Sequence, residues 1–218
     1  MKPLAIDLFC GKGGWTNALR DVGFRVIGFD INPQPEYRAE FIKWDVLDIW
    51  ARNGELAWLH VPCGRVNPVF AVCSSPCEQF SVHCMKHFHP NPPYPELGIK
   101  LFNHARNLLE SLGVPYVMEN VRCAEKFVGR AVNHCGPVYL WGNAVPAVFS
   151  KECYEVTKGM TLDQAWDRNT GKRSYSGPRR FSSNSPERAE AVAKLAMIPY
   201  PIARAVAEAG MRLVEAAA

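Results

Sequence analysis

Residues 4–30 admit very few folds. Leu4-Ala5-Ile6-Asp7-Leu8-Phe9 reads as a short buried strand, Cys10-Gly11-Lys12-Gly13-Gly14 as a tight turn, and Trp15 to Val22 as a helix that Gly23 ends. Arg25-Val26-Ile27-Gly28-Phe29 is a second strand that stops at Asp30, because Ile31-Asn32-Pro33 continues neither a strand nor a helix. A strand, a helix and a strand in so short a span make a βαβ unit, whose two strands run parallel.

The rest of the chain repeats that alternation. Phe41 to Trp44, with Asp45 behind it, reads as a third strand, Val69 to Cys73 as a fourth, and Tyr116 to Met118 as a fifth closed by Glu119-Asn120. Between the last two, Ile99, Phe102, Leu108, Leu109 and Leu112 recur near helical spacing and predict a helix over Glu96 to Leu112. Gly136 to Gly142 contains another strand. Ser185-Pro186-Glu187 caps a helix that runs to about Leu195. A last helix, Pro201 to Ala216, carries Ile202, Val206, Ala209 and Leu213 on one stripe. The expected fold class is therefore α/β, a mostly parallel sheet with helices on both faces.

At 218 residues and 48% hydrophobic content, residues 1–218 read as one domain. No apolar stretch approaches the roughly 18 to 20 residues that cross a bilayer, and the first residues lack a signal-peptide pattern, so a cytoplasmic setting without membrane contact is expected. The eight cysteines are scattered through a chain too large to need stapling, and reduced thiols follow.

Open α/β sheets bind ligands outside the carboxyl ends of their strands, and the chain's conspicuous polar residues fall at such ends. Gly11, Gly13 and Gly14 allow a ligand close to the backbone, Asp30 can accept from two ribose hydroxyls, and Asp45 from an adenine amine. The GxxxxGK[ST] cradle is missing and GxGxxG is broken at Thr16, so a nucleoside without pyrophosphate fits best. Cys77, in Ser75-Pro76-Cys77-Glu78-Gln79-Phe80-Ser81, stands in the turn after the fourth strand, where a thiol is a candidate nucleophile. Cys73, Cys77, His83, Cys84, His87 and His89 lie close together, but without the paired C-x-x-C spacing of structural zinc, and no metal is expected. Cys73 and Cys84 read as core or loop residues. The three histidines fall in a loop rich in Pro90, Pro92, Pro93 and Pro95 that could close over a base.

Asp7-Leu8-Phe9-Cys10-Gly11-Lys12-Gly13-Gly14-Trp15, Pro76-Cys77-Glu78-Gln79-Phe80-Ser81 and Glu119-Asn120-Val121, in that order, resemble the DNA cytosine-5 methyltransferases, and compact phage-type members in particular. The resemblance implies a Rossmann-like fold that binds S-adenosylmethionine and transfers its methyl group to carbon 5 of a flipped cytosine in DNA. Cys77 then corresponds to the thiolate that attacks carbon 6, and Glu119 to the group that stabilises the ring near nitrogen 3. Phe9, Gly11, Gly13, Gly14, Trp15, Asp30, Ile31, Asp45, Val46 and Pro76 correspond to the cofactor pocket. Ser81, Arg173, Arg179 and Arg180 are assigned to DNA. No obligate protein partner is implied.

The chain departs from that family in four places. The Gln usual after the cysteine is Glu78, with Gln79 following; the RxRxR segment after ENV has no counterpart; and Met197 to Ala203, which should return beside the first glycine turn, lacks the preceding Gly-Asn-Ser. A basic, loop-rich insert at about 150–185 stands in place of a full target-recognition domain, leaving few side chains to read bases. Arg168, Lys172, Arg173, Arg179 and Arg180 surround Tyr175 there without an acid among them, a nucleic-acid surface by charge. Lys12 and the arginines near Arg173 are the cations available to help a thiol ionise. The same chemistry on RNA, transfer of another group or action on a modified cytosine, and a degenerate DNA-binding protein are the alternatives.

Overall fold

β1 (Leu4–Leu8), α1 (Gly14–Val22) and β2 (Arg25–Asp30) form the expected βαβ unit, with β1 and β2 parallel and Ile6 opposite Ile27. The structure is a computed structural model that describes residues 2–58, 64–87, 89–157, 166–167, 172–173, 182, 185–188, 190 and 196–217. α1 stops where Gly23 takes a left-handed φ of 117° and its N–H returns to the carbonyls of Leu19 and Arg20.

β3 (Glu40–Lys43) extends the sheet beyond β2, while β7 (Phe70–Ser74) lies on the other side of β1 and β8 (Tyr116–Asn120) beyond it, all parallel. β9 (Asn133–Cys135) and β10 (Val138–Trp141) complete a seven-stranded sheet of order β3-β2-β1-β7-β8-β10-β9, in which β10 is antiparallel to both neighbours. β8 runs two residues further than expected, so Glu119 and Asn120 belong to the strand itself.

Alternation along the strands sorts side chains to two faces. Ile6, Leu8, Ile27, Phe29, Cys73 and Met118 pack on one face under α3 (Glu96–Leu112), whose Phe102, Leu109 and Leu112 are buried. Ala5, Val26, Phe70, Val72 and Val117 pack on the other, beneath α1 and the last helix, α6 (Tyr200–Ala216). Each large side chain so buried contributes about 1.5–3 kcal/mol. The buried stripe of α6 is Ile202, Ala203, Val206, Ala207 and Gly210; Leu213 is 42% exposed, so the face is turned from the expected one. Gly210 sets the approach, because a Cβ there would stand 2.6 Å from the Phe70 ring.

Residues 49–66 hold a second, antiparallel sheet for which no strands were expected: β4 (Ile49–Arg52), β5 (Glu55–Trp58) and β6 (Gly64–Val66). Its Ile49 and Leu56 join the core under α3. α2 (Glu78–Cys84) follows β7, α4 (Glu125–Val128) follows β8, and α5 (Lys151–Thr157) opens the basic insert. Two short strands, β11 (Trp166–Asp167) and β12 (Lys172–Arg173), pair antiparallel in the insert. Arg168, Arg179 and Arg180 lie outside the described residues. Ser185 caps as expected, its hydroxyl accepting the Arg188 N–H at 3.2 Å, and the helix beyond residue 190 falls outside the described residues.

Candidate active site at the switch point

The chain order reverses between β1 and β7: from β1 it proceeds outward to β2 and β3, from β7 to β8. Such a switch point opens a crevice above the strand ends. The glycine turn forms one lip of it, and Ser75-Pro76-Cys77 the other.

Positive φ values shape the first lip: Gly11 at 47°, Gly13 at 80° and, unusually for a side-chain residue, Phe9 at 54°. Asp30 latches this turn. Its Oδ2 accepts from the Gly11 N–H at 3.0 Å and its Oδ1 from Asn32 at 2.8 Å, and each oxygen keeps a further lone pair for a ligand. Ile31 beside it is 57% exposed at the rim. Asp45 caps the single turn Val46–Asp48 by accepting the Leu47 N–H at 2.9 Å, and Val46 is buried below it. Gly14 serves packing: a Cβ on it would stand 2.8 Å from the backbone nitrogen of Ile198. The segment before α6 therefore does return to the glycine turn. Tyr200, which follows in that segment, turns to α1 and donates to Asp21 at 2.6 Å. Trp15 is buried, with its indole N–H donating to the Ser74 hydroxyl at 2.8 Å.

A polar network lies under this lip. Thr16 Oγ1 donates to Asp7 Oδ2 at 2.7 Å and shares a hydrogen bond of 2.5 Å with the Tyr37 hydroxyl, while Asp7 Oδ1 is buried with no partner among the described residues. Burial pushes the Asp7 carboxyl up to about 8. Tyr37 fits over Gly28, where any Cβ would overlap its ring. Sequence reading gave neither Tyr37 nor Thr16 a role.

Cys77 stands at the N-terminus of α2, half-buried, and Pro76 beside it is exposed. Parallel pairing of β7 with β8 sets Ser74 opposite Glu119, so the Cys77 turn and Glu119 occupy adjoining strand ends. Burial raises the Glu119 carboxyl to about 7, against a lowering hydrogen bond from Ser74. Burial also raises the Cys77 thiol to about 11, helped by the charges of Glu119 and Glu78 and opposed by a hydrogen bond from Ser81. The site thus holds a protonated thiol beside a carboxyl that is half protonated near neutrality. Lys12 does not relieve this, because its ammonium is spent on Glu190 at 2.6 Å and on Glu36 at 3.8 Å.

Two departures in the Cys77 motif have structural reasons. Glu78 is exposed in the first turn of α2, where an acid favours the helix dipole. Gln79 accepts the Gly98 N–H at 2.7 Å, tying α2 to the start of α3. Cys84, expected as a reduced core or loop thiol, is instead disulfide-bonded to Cys123, whereas Cys10, Cys73, Cys77, Cys135 and Cys153 are free. The structure brings together the cofactor and thiol residues; the Arg173 backbone lies in β12, and Arg179 and Arg180 fall outside the described residues.

A parallel sheet with its switch point between β1 and β7 and one antiparallel strand let in next to the far edge defines the architecture. This is a Rossmann-like, doubly wound α/β fold. The sequence matches no family model and no curated protein. Solved structures similar to the chain include a candidate DNA modification methyltransferase encoded within an E. coli prophage, at 20% identity over 58% of this chain and 35% of that one, with a TM-score of 0.40. Another is a Burkholderia thailandensis 1,6-didemethyltoxoflavin-N1-methyltransferase bound to S-adenosylhomocysteine, at 13% identity over 64% and 54% of the two chains, with a TM-score of 0.33. A third is an Entamoeba histolytica methyltransferase, at 20% identity over 58% and 40%, with a TM-score of 0.34. The chain spans about a third of the length of the first of these and about half of the second. Among the described residues no helix is long and apolar enough to cross a membrane.

Proposed function

We propose that the chain is an S-adenosylmethionine-dependent DNA cytosine-5 methyltransferase, cytoplasmic, that works through a covalent adduct at Cys77. The observation that carries this reading is the adjacency of two groups on neighbouring strand ends: a thiol, and a carboxyl that burial raises to about 7.

The residues of the glycine lip fit the cofactor. A Cβ on Gly11 would meet nothing within 4 Å, so the turn is open on that side, and the acceptors Asp30 and Asp45 follow on successive strands with no phosphate cradle beside them. When bound, S-adenosylmethionine supplies an electrophilic methyl group on a sulfonium. The chain's own residues do the rest. Once the Cys77 thiol has given its proton to solvent, its thiolate sulfur bonds to carbon 6 of a cytosine turned out of the duplex, and Glu119 gives its proton to nitrogen 3 as the ring takes the electron pair. Carbon 5 is then enamine-like, the nucleophile to which the bound cofactor would supply its methyl, the carbon–sulfur bonding pair staying on the sulfur. Loss of the carbon-5 proton to solvent base, with cleavage of the sulfur–carbon bond and return of the nitrogen-3 proton to Glu119, restores the aromatic ring and the free thiolate.

Ser81, one turn beyond Cys77 on α2, and Arg173, Arg179 and Arg180 of the basic insert are the proposed DNA contacts. Incubation with tritiated cofactor and duplex DNA, single-stranded DNA or tRNA tests the reading. Label at carbon 5 of cytosine in DNA, abolished in Cys77→Ala, is expected; label confined to tRNA would overturn it.

A further inference from the structure

We propose that Cys84 and Cys123 form a reversible modification site for low-molecular-weight disulfides of the glutathione class, and that their bond clamps the outer wall of the Cys77 crevice. The two residues are joined, with Cα atoms 5.6 Å apart, inside the range that needs no backbone movement to form or release the bond. Cys84 is exposed and Cys123 half-buried, so a small thiol or disulfide reaches the pair. Among the described residues, Cys10, Cys73, Cys135 and Cys153 are buried and so shielded. Cys77 is held as a thiol, which reacts slowly.

The bond joins the two elements that form the Cys77 side of the crevice, the one after β7 and the one after β8. Cys84 is the last residue of α2, the helix that Cys77 begins, and Cys123 lies in the single turn Arg122–Ala124 directly after the Glu119-Asn120 end of β8. At the inner end this side is held together by Asn120 on Ser75. At the outer end His83 and Phe80 lie against Phe127 of α4, with ring centroids 4.8 and 6.0 Å apart. The chain after Cys84 leads into the histidine- and proline-rich stretch, which His83 meets again through a hydrogen bond of 3.0 Å at the Pro93 carbonyl. Oxidation fixes where that stretch starts, and reduction releases it.

Two exchange steps make the bond. The Cys84 thiolate attacks one sulfur of the small disulfide and expels a thiolate, leaving a mixed disulfide at Cys84. The Cys123 thiolate then attacks the Cys84 sulfur and expels the second small thiolate. Two thiol protons leave with the small molecules, and the small disulfide gains the two electrons the protein loses.

The test equilibrates the full chain in buffers spanning reduced to oxidised glutathione, quenches in acid, labels free thiols differentially and maps peptides by mass spectrometry. A single transition that yields the Cys84–Cys123 cross-linked peptide, with Cys77 still free, is expected. In Cys84→Ser, Cys123 should carry only glutathione. Hydrogen exchange in peptides covering 85–95 should be at least tenfold slower in oxidised than in reduced protein, and equal in the two buffers for Cys84→Ser. Persistence of both cysteines as thiols or glutathione adducts throughout would overturn the site, and equal exchange in both states would overturn the clamp. Any effect on methyl transfer rests on the proposed function, so its absence in both redox states, with the cross-link and the exchange difference present, counts against that function and not against the clamp.

Discussion

Asn120 donates its side-chain Nδ2 to both the carbonyl and the hydroxyl of Ser75, at 3.0 and 3.1 Å, and so fastens the strand end that carries Glu119 to the turn that carries Cys77. Its Oδ1 also accepts the Val121 N–H at 2.9 Å, and the residue is fully buried. Asn120→Ala leaves these partners without their bonds, at about 1–3 kcal/mol for each buried group left unpaired. The expected result is a lower urea midpoint with an unchanged slope, and a methyl-transfer rate that falls more than cofactor affinity does. Wild-type turnover in a destabilised Asn120→Ala would show that the fastening serves the fold alone.

Cys77 and Glu119 should act in an unusual protonation state. Attack needs the thiolate, although the thiol is raised to about 11, and ring stabilisation needs the protonated carboxyl, although that is raised only to about 7. Below about pH 7 the carboxyl is protonated and the thiolate fraction climbs tenfold per unit of pH; from there to about 11 the gain in thiolate cancels the loss of carboxylic acid. The kcat/KM for duplex DNA should therefore rise and then stay level through the alkaline range. Glu119→Gln should be slower and should lose the plateau, its rate climbing on with pH. A wild-type profile that falls between about pH 8 and 9 would remove this pairing of states.

What could be read beforehand, and what could not, divides by range of interaction. The strands and glycine turn from Leu4 to Asp30 follow from local apolar runs and breakers, and they match the structure almost residue for residue. The β4–β5 hairpin was equally legible, since Asn53-Gly54 between Ile49-Trp50-Ala51-Arg52 and Glu55-Leu56-Ala57-Trp58 is a strong turn signal; both residues do take positive φ, 52° and 79°. Long-range pairings carry no such mark. Nothing local joins Lys12 to Glu190, Cys84 to Cys123, or Tyr37 to the underside of Gly28, because each depends on where the sheet brings distant segments. Glu119 was identifiable as a candidate carboxyl, whereas its position inside β8, opposite Ser74, was not.

Asp7 makes stability depend on pH in the direction opposite to an ordinary paired carboxylate. Its carboxyl rises from the usual 3.8 to about 8 on folding, so the native chain binds a proton that the unfolded chain gives up within that interval. Its contribution is whole below about pH 4 and is lost as pH climbs to about 8, and Glu119 adds the same sign between 4.5 and about 7. Unfolding midpoints in urea should fall from about pH 5 to about pH 8, by up to roughly 1.4 kcal/mol per pH unit for each group. Asp7→Asn keeps an acceptor for Thr16 and has no proton to lose, so its midpoint should vary less with pH. An equal slope in the variant would assign the dependence elsewhere.

Gly11 and Gly14 separate the binding role of the glycine turn from its packing role. At Gly11 an added Cβ meets nothing within 4 Å, and the cost is only that of a left-handed residue at φ 47°, about 1–2 kcal/mol. At Gly14 the Cβ would come within 2.8 Å of the Ile198 backbone nitrogen, so the segment leading into α6 must withdraw. Displacements of that kind in a packed core cost about 1–3 kcal/mol. Gly14→Ala should therefore lower the melting temperature by more than Gly11→Ala does. In Gly11→Ala, by contrast, the new methyl occupies the open side of the turn, and S-adenosylmethionine affinity measured by calorimetry should drop at least tenfold while the fold is retained. Unchanged affinity in Gly11→Ala would move the cofactor away from this lip, leaving Asp30 and Asp45 as side chains that cap turns and hold no ligand.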